Sequence, residues 1–405
     1  ESQVINLGET SNYGTISWGQ QSLERVEGEM RQADDPQTSV TIRMKTGLDD
    51  TPLIFFERVV DADTRVVSFD EISEREFGAL QQGAGLFEND SENWSDWSLP
   101  LVSGQQIPLP SPRPFFQLQI LLEGTSVSQT ASLESLVVES SVPPASAVFG
   151  EISIDGEPDP EHSIAQVDGG ETVRFVYDVS ARVTATQSGF DALRIDTPTQ
   201  PRFLDLLMGN PFVNVAPDDV LETDSSLTVV FSRDRIQATN NVPLRVVFEG
   251  SVVVFGTVFS GRVWDSTSEL LGQPVLEGDA NRQVQTNTLR VALTERSVGD
   301  ILRKVRVVPP VFTPNGDGIN DEARVEFTVT QISQPRSLDV LVLDLSGRRV
   351  RRLVQEKRVG GVFSEVWDGT DDHGATVPPG TYLTSVEIHT ATGSYRTTKT
   401  VRIAY

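Results

Sequence analysis

The sequence predicts an all-β chain of three tandem β-sandwiches, of jelly-roll and Ig-like type. Three observations predict it. Apolar and polar residues alternate at period two, 31 glycines and 23 prolines punctuate those runs, and helical periodicity is nearly absent. A length of 405 residues exceeds one ordinary core, so several domains are expected.

In chain order, the first strand signals are "SVTIRMKTG" (39–47) and "FFQLQILLEG" (115–124). "ETVRFVYDVS" (171–180), "SLTVVFSRD" (226–234) and "RSLDVLVLDLSG" (336–347) follow, rich in Val, Ile, Phe and Thr. Two short helices are expected, over "FDEISEREFGALQQG" (69–83), with an Asp N-cap and a Gly stop, and over "PRFLDLLMG" (201–209). The Pro/Ser/Ala run "SSVPPASA" (140–147) and the double proline of "VRVVPPVFTPNGDG" (305–318) read as seams. They divide the chain into a jelly-roll-like sandwich over 1–142, an Ig-like or cohesin-like sandwich over 143–300 and an Ig-like domain over 301–405.

The formal charge is −25, and it is unevenly spread. Acids against bases number 23 to 8 over residues 1–142, 22 to 11 over 143–298 and 13 to 14 over 299–405. A field of that sign repels phosphate backbones, which argues against nucleic-acid partners and suits divalent cations or salt. With no cysteine, disulfides, thiol catalysis and zinc–thiolate sites are excluded. The chain opens at Glu1 without a methionine, which suggests a processed or truncated start, and a removed signal peptide is the expectation. The most apolar stretch (242–264) is interrupted by Arg245, Glu249, Arg262 and glycines, so it reads as core strands and no transmembrane segment is expected.

"VFTPNGDGINDE" (311–322) is the foremost candidate site. Calcium takes six to eight oxygen ligands on a flexible loop, and Asn and Asp at alternate positions between glycines supply them. The metal candidates are Asn315, Asp317, the Ile319 carbonyl, Asn320 and Asp321, with calcium the expected ion. Against this, Thr313 stands where an EF-hand-type loop begins, and Arg324 where its bidentate Glu belongs. The competing reading is a pair of tight turns in which Asn and Asp cap their own backbone. In "EVWDGTDDHGATVPPGTYL" (365–383), Asp368, Thr370 and Asp372 fall at alternate positions, but "DDHG" between strand residues is a hairpin signal.

These motifs, with "LDVLVLDLSGRRVRRLV", resemble the Ig-like domain found at the C-terminus of many secreted bacterial proteins. That family is related to the Ig-like domain of the flagellar hook-capping protein. It overlaps the gliding-motility-associated C-terminal domains that serve as sorting modules for type IX secretion. The resemblance covers residues 305–405 and implies a small β-sandwich on a secreted or surface protein, used in adhesion, assembly or export. It brings no catalytic residues. From the residues alone, Ser346–Gly347 is a turn, with Val340, Val342 and Asp344 on one strand face and Leu341, Leu343 and Leu345 on the other. Arg348, Arg349, Arg351 and Arg352 read as a solvated strand edge, or else as a patch for an acidic partner.

The N-terminal segments "TIRMKTGLDDTPLIFFERV", "ENDSENWSDWSLP" and "IPLPSPRPFFQLQILLEG" resemble, in outline, galactose-binding-like jelly rolls of bacterial surface proteins. Trp94 and Trp97 are candidate glycan contacts, with Asp90, Glu92 and Asp96 as hydroxyl acceptors. Three apart in a strand, the two rings face opposite sides, so the competing reading is one core ring and one loop cover.

His162, His373 and His389 have no partner at metal-ligand spacing, and nucleophile elbow, P-loop and dinucleotide motifs are missing. A Ser–His–Asp triad or a carboxylate pair assembled in space stays open to sequence reading. The expectation is a non-catalytic, extracellular or cell-surface structural or adhesive protein. It is expected to assemble with other protein subunits, including copies of itself, in a surface layer, appendage or envelope complex. The alternative is a carbohydrate-binding surface module.

Overall fold

The computed structural model describes residues 1–404 apart from 27, 34–37, 62–64, 125, 298 and 392. The chain's regular secondary structure is almost wholly β-strand, as expected. It divides into two compact units, one of Glu1–Ser146, Thr186–Phe190 and Trp264–Pro274, the other of Ala147–Ala185, Asp191–Val263 and Val275–Tyr405.

In the first unit one long strand, Ile5–Val26, serves two sheets. Its beginning pairs with Arg113–Gly124, which pairs in turn with Thr38–Gly47, and its later part pairs with Gln129–Ser141. Register shifts after Asn6 and after Tyr13 let the strand pass from one layer to the other, because a bulge bends a strand without ending it. The alternating residues Tyr13, Ile16, Ile42, Met44, Phe116 and Leu118 close the core between the layers. A small sheet, Val67–Ile72, Leu53–Val60 and Gly85–Asn89, carries its own aromatic cluster of Phe55, Phe77 and Phe87, with centroids 5.0–6.2 Å apart.

The helix expected over 69–83 is reduced to Glu74–Phe77. The cap is Ser73, in a capping box with Glu76, and Asp70 belongs to the preceding strand. Pairing Val67–Ile72 with Leu53–Val60 satisfies more backbone than another helical turn would, so the strand takes those residues.

The second expected helix is a strand, Arg202–Met208, antiparallel to Leu244–Ser251. A register shift between Phe203 and Asp205 turns Leu206 and Met208 inward. Leucine's helical propensity, a few tenths of a kcal/mol per residue, yields to burial worth roughly 1.5–3 kcal/mol per side chain. The same sheet continues through Thr172–Arg182 and Ala147–Ile154, and Phe175, Phe248 and Phe259 pack at 5.2–6.0 Å in its core.

Glu151, on Ala147–Ile154, has no solvent exposure. Its Oε1 accepts the Ala280 and Asn281 N–H groups at 3.1 and 2.8 Å, and its Oε2 accepts the Thr286 hydroxyl and the Asn287 N–H at 3.1 Å. Burial raises its pKa while these four donors oppose the rise. Beside it Asp178 takes two bonds from Arg245, at 2.6 and 2.7 Å, and one from Asn281 Nδ2 at 2.9 Å. The polar run over 276–287 is thus pinned to the sheet by two buried carboxylates.

The remainder of this unit holds the sheets Leu302–Val308, Ala323–Val329, Gly361–Trp367 and Val311–Phe312, Gly393–Ile403, Gly380–Thr390, Arg336–Leu343, Arg349–Arg358. Leu338, Val340 and Val342 face the core between them, and Leu345 is exposed. Hydrogen bonds join it to the preceding sandwich. Gln331 N–H donates to the Val253 carbonyl at 2.7 Å, and Lys304 Nζ to the Gly170 carbonyl at 3.0 Å and Glu171 at 2.9 Å. Gly170 has φ +72°, and a Cβ there would lie 2.6 Å from Thr328 Cγ2, so only glycine permits this approach.

Two outcomes follow. Glu151→Gln turns an NH2 group toward donors that need an acceptor, and denaturant melts should show a loss of about 1–3 kcal/mol. Gly170→Val forces the backbone out of the left-handed region and the two sandwiches apart, so limited proteolysis should cut between residues 297 and 305, where the parent resists.

Candidate functional site: the motif loops

Two of the three motifs of the last domain converge. Phe312, from "VFTPNG", lies 5.3 Å from Trp367, and Trp367 lies 5.3 Å from Tyr382, both pairs edge-on. Trp367 is fully buried and donates its indole N–H to the Thr370 carbonyl at 2.9 Å, while Tyr382 donates its hydroxyl to the Pro378 carbonyl at 2.7 Å. Gly369 has φ +76°, and a Cβ there would lie 2.7 Å from Pro314 Cγ. Phe312, Trp367 and Tyr382 thus form one aromatic knot, and the Gly369–Pro314 approach ties the two loops together. Sequence reading quoted these motifs but missed their convergence, because nothing local in either loop signals the other.

Within 313–321 the polar groups face inward. Asp321 collects backbone N–H groups, from Asn315 at 3.0 Å and Gly316 at 2.7 Å on Oδ1 and from Gly318 at 2.6 Å on Oδ2. Asp317 accepts the Ile319 N–H at 2.7 Å and the Asn315 side-chain amide at 3.1 Å. The Ile319 carbonyl accepts the Thr313 hydroxyl at 3.3 Å, and the Asn320 carbonyl the Thr313 N–H at 2.7 Å. Gly316, Gly318 and Asn320 all have positive φ, which lets successive amides point at one carboxylate. Those amide bonds hold the Asp321 carboxyl below the usual carboxylate range.

The neighbouring loop repeats the device. Asp368 accepts the Thr370 N–H and hydroxyl, and Asp371 accepts the His373 and Ala375 N–H groups at 2.9 Å. Asp372 instead serves the adjacent strand, taking the Arg352 N–H at 2.8 Å and Arg349 at 2.9 Å. The arginine run is likewise engaged within the domain, Arg348 by Asp344 and Arg351 by the Asp371 carbonyl. Among the described residues, no group of three or more His, Cys, Asp or Glu is placed to hold a metal ion.

Trp94 and Trp97 lie on an irregular segment, not in a strand. Trp94 is buried against Gly47, where a Cβ would lie 2.2 Å from its ring, and donates to Asp49 at 3.0 Å. Trp97 is half-buried. Between them stands Lys45, 4% exposed, its Nζ 5.2 and 5.0 Å from the two ring centroids. Asp90 is buried and accepts the Glu92 and Asn93 N–H groups, and Glu92 and Asp96 are exposed.

The structure also brings a serine, a histidine and an aspartate together. His389 Nδ1 lies 2.7 Å from Ser394 Oγ, and its Nε2 lies 3.4 Å from Asp339. Ser394 and His389 are cross-strand partners beside a turn, a position where such a bond arises from pairing alone.

Residues 316–392 match the family model of the FlgD Ig-like domain. The Ig-like resemblance read from the motifs of 305–405 therefore stands. No curated protein matches the chain. Solved structures with similarity include dimeric latent PorU from Porphyromonas gingivalis, 12% identical, with 99% of this chain and 34% of PorU covered and a TM-score of 0.23. The T6 backbone pilin of serotype M6 Streptococcus pyogenes is 9% identical, with 95% and 80% covered and a TM-score of 0.22. BcpA, the major pilin subunit of Bacillus cereus, is 9% identical, with 91% and 95% covered and a TM-score of 0.23. The chain thus spans about a third of PorU's length. TM-scores this low mark no shared global arrangement.

Trp367→Ala should empty the knot and cost about 3–5 kcal/mol in denaturant melts, with little change on its exposed neighbour Val366→Ala. Asp321 has a depressed pKa, so its contribution to stability is present above the ordinary aspartate range and is lost as pH falls below about 4. Asp321→Asn should accordingly lower the melting temperature at neutral pH and flatten its fall on acidification.

Proposed function

We propose that this protein is a non-catalytic structural or adhesive subunit of a bacterial surface or secreted assembly, working through protein–protein contacts. In this reading three sandwiches, over roughly 1–142, 143–300 and 301–405, run in series outside the cell. The observation that carries it is the hydrogen-bonded junction of Lys304 and Gln331 with Gly170 and Val253, which would stiffen two sandwiches into one element. A stiff element with its polar groups committed to holding loops suits bearing contacts and load. The match of residues 316–392 to the FlgD Ig-like domain supports the same reading. Among the described residues no helix is long and apolar enough to cross a membrane. Crosslinking of the native envelope and secreted fractions should recover this chain outside the cytosol with partner subunits at fixed stoichiometry. Recovery as a free cytosolic monomer would overturn the proposal.

Calcium belongs to this reading at 315–321, where an ion would have to compete with backbone amides for Asp317 and Asp321. If it binds, chelator lowers the melting temperature and Asp317→Ala abolishes that response. An unchanged melt assigns the loop to turn formation alone. The glycan reading rests on Trp97, since Trp94 is buried. Its test is a glycan array on which Trp97→Ala loses binding.

A further inference from the structure

Sheet edges in the last domain are protected unequally. Strand Arg349–Arg358 carries five basic residues, has two register shifts, and takes contacts from Asp371 and Asp372. Strand Leu302–Val308 is interrupted by a register shift between Arg303 and Arg306, with Lys304 at φ +51°. Lysine, arginine, bulges and covering loops are the usual means of keeping a sheet edge from pairing with another chain. Strand Gly361–Trp367, "GVFSEVW", has no lysine, arginine or bulge of its own, and Arg358 from the neighbouring sheet reaches its inward residues Phe363 and Glu365. The strand pairs on one side through seven residues in unbroken register with Ala323–Val329, ends its sheet on the other, and exposes Val362 and Val366.

A cleft of about 1020 Å³ wraps this free edge. Lys304, Arg306, Lys357 and Arg358 line it, against Asp224 and Glu365. Lys304, Arg306 and Arg358 have acidic partners in Glu171, Glu326 and the pair Glu356 and Glu365. Lys357 is exposed and has no ion-pair partner among the described residues. An incoming strand there would meet one positive charge, that of Lys357, not already compensated by an acid.

The chain offers such a strand itself. Val67–Ile72, "VSFDEI", ends the small sheet of the first unit in unbroken register and also lacks lysine, arginine, proline and bulge. Val67 and Phe69 are 42% and 48% exposed, and Asp70 and Glu71 have no ion-pair partner among the described residues. We propose that strand Val67–Ile72 of one copy adds to the free edge Gly361–Trp367 of the next, the consecutive acids Asp70 and Glu71, which point to opposite faces of the strand, bringing one carboxylate to the side of Lys357. Backbone bonds supply the affinity and the charges fix partner and register. Because the two surfaces differ, the contact is head-to-tail and propagates into a filament unless it closes into a ring. This rests on the proposed assembly role and names its contact.

Sedimentation velocity on the full chain tests it. The parent should self-associate with rising concentration, Lys357→Glu and the pair Asp70→Lys/Glu71→Lys should each weaken association about tenfold, and the triple variant should recover it. The chain has no cysteine, so introduced thiols are unique. A short bis-maleimide should join Ser68→Cys copies to Ser364→Cys copies only when both are mixed. Association that ignores the charge swaps, or crosslinks within either variant alone, overturns this contact while leaving the assembly role intact. A chain that stays monomeric at the highest attainable concentration also overturns it, and the assembly role is then decided by the envelope crosslinking alone.

Discussion

Carboxylates used as acceptors for backbone N–H groups are the constraint on which this structure depends. An all-β chain of 405 residues has many loops, and each leaves amides that strands cannot satisfy. Asp90, Asp321, Asp344, Asp371 and the buried Glu151 each take two or more such amides. Hydrogen bonding holds the four aspartates below the ordinary range, whereas at Glu151 burial outweighs it. The strong acidity thus has, in part, a local use. These acids close turns, and a divalent ion at 315–321 would have to displace bonds already made.

The aromatic knot shows the same economy at the level of motifs. Phe312, Trp367 and Tyr382 sit near the ends of three strands, and their mutual packing fixes where the two acidic loops emerge. Gly369 and Pro314 lie in contact, so the loops cannot separate without opening the core. The span 316–392 that matches the FlgD Ig-like model includes two of the knot's three rings, Trp367 and Tyr382.

Assembly, in this view, is a matter of edges. In the last domain the sheet-ending strands Leu302–Val308 and Arg349–Arg358 are charged and bulged, whereas Gly361–Trp367 is neither and lies along a cleft that Lys357 also lines. In the proposed reading, stiffness would come from the hydrogen bonds of Lys304 and Gln331 to the preceding sandwich. A stiff body with few open edges limits how copies or partners can join.

Much of the fold was legible in the sequence, because a half-buried strand writes its period directly into the chain. The run 336–343 showed that Val340 and Val342 share a face, and the core confirms it. Where local preference and tertiary pairing disagreed, as in "RFLDLLM" and around Asp70, pairing prevailed, since burial between sheets outweighs helix propensity. The polarity and turn chemistry of 313–321 were likewise visible residue by residue. What only the tertiary structure decided was partnership across distance: Glu151 reaching residues 280–287, Phe312 meeting Trp367, Lys45 lodged between Trp94 and Trp97. Periodicity and turn residues report a chain's relation to its own neighbours. Which far segment completes a core or covers an edge depends on packing in three dimensions, and no local pattern carries it.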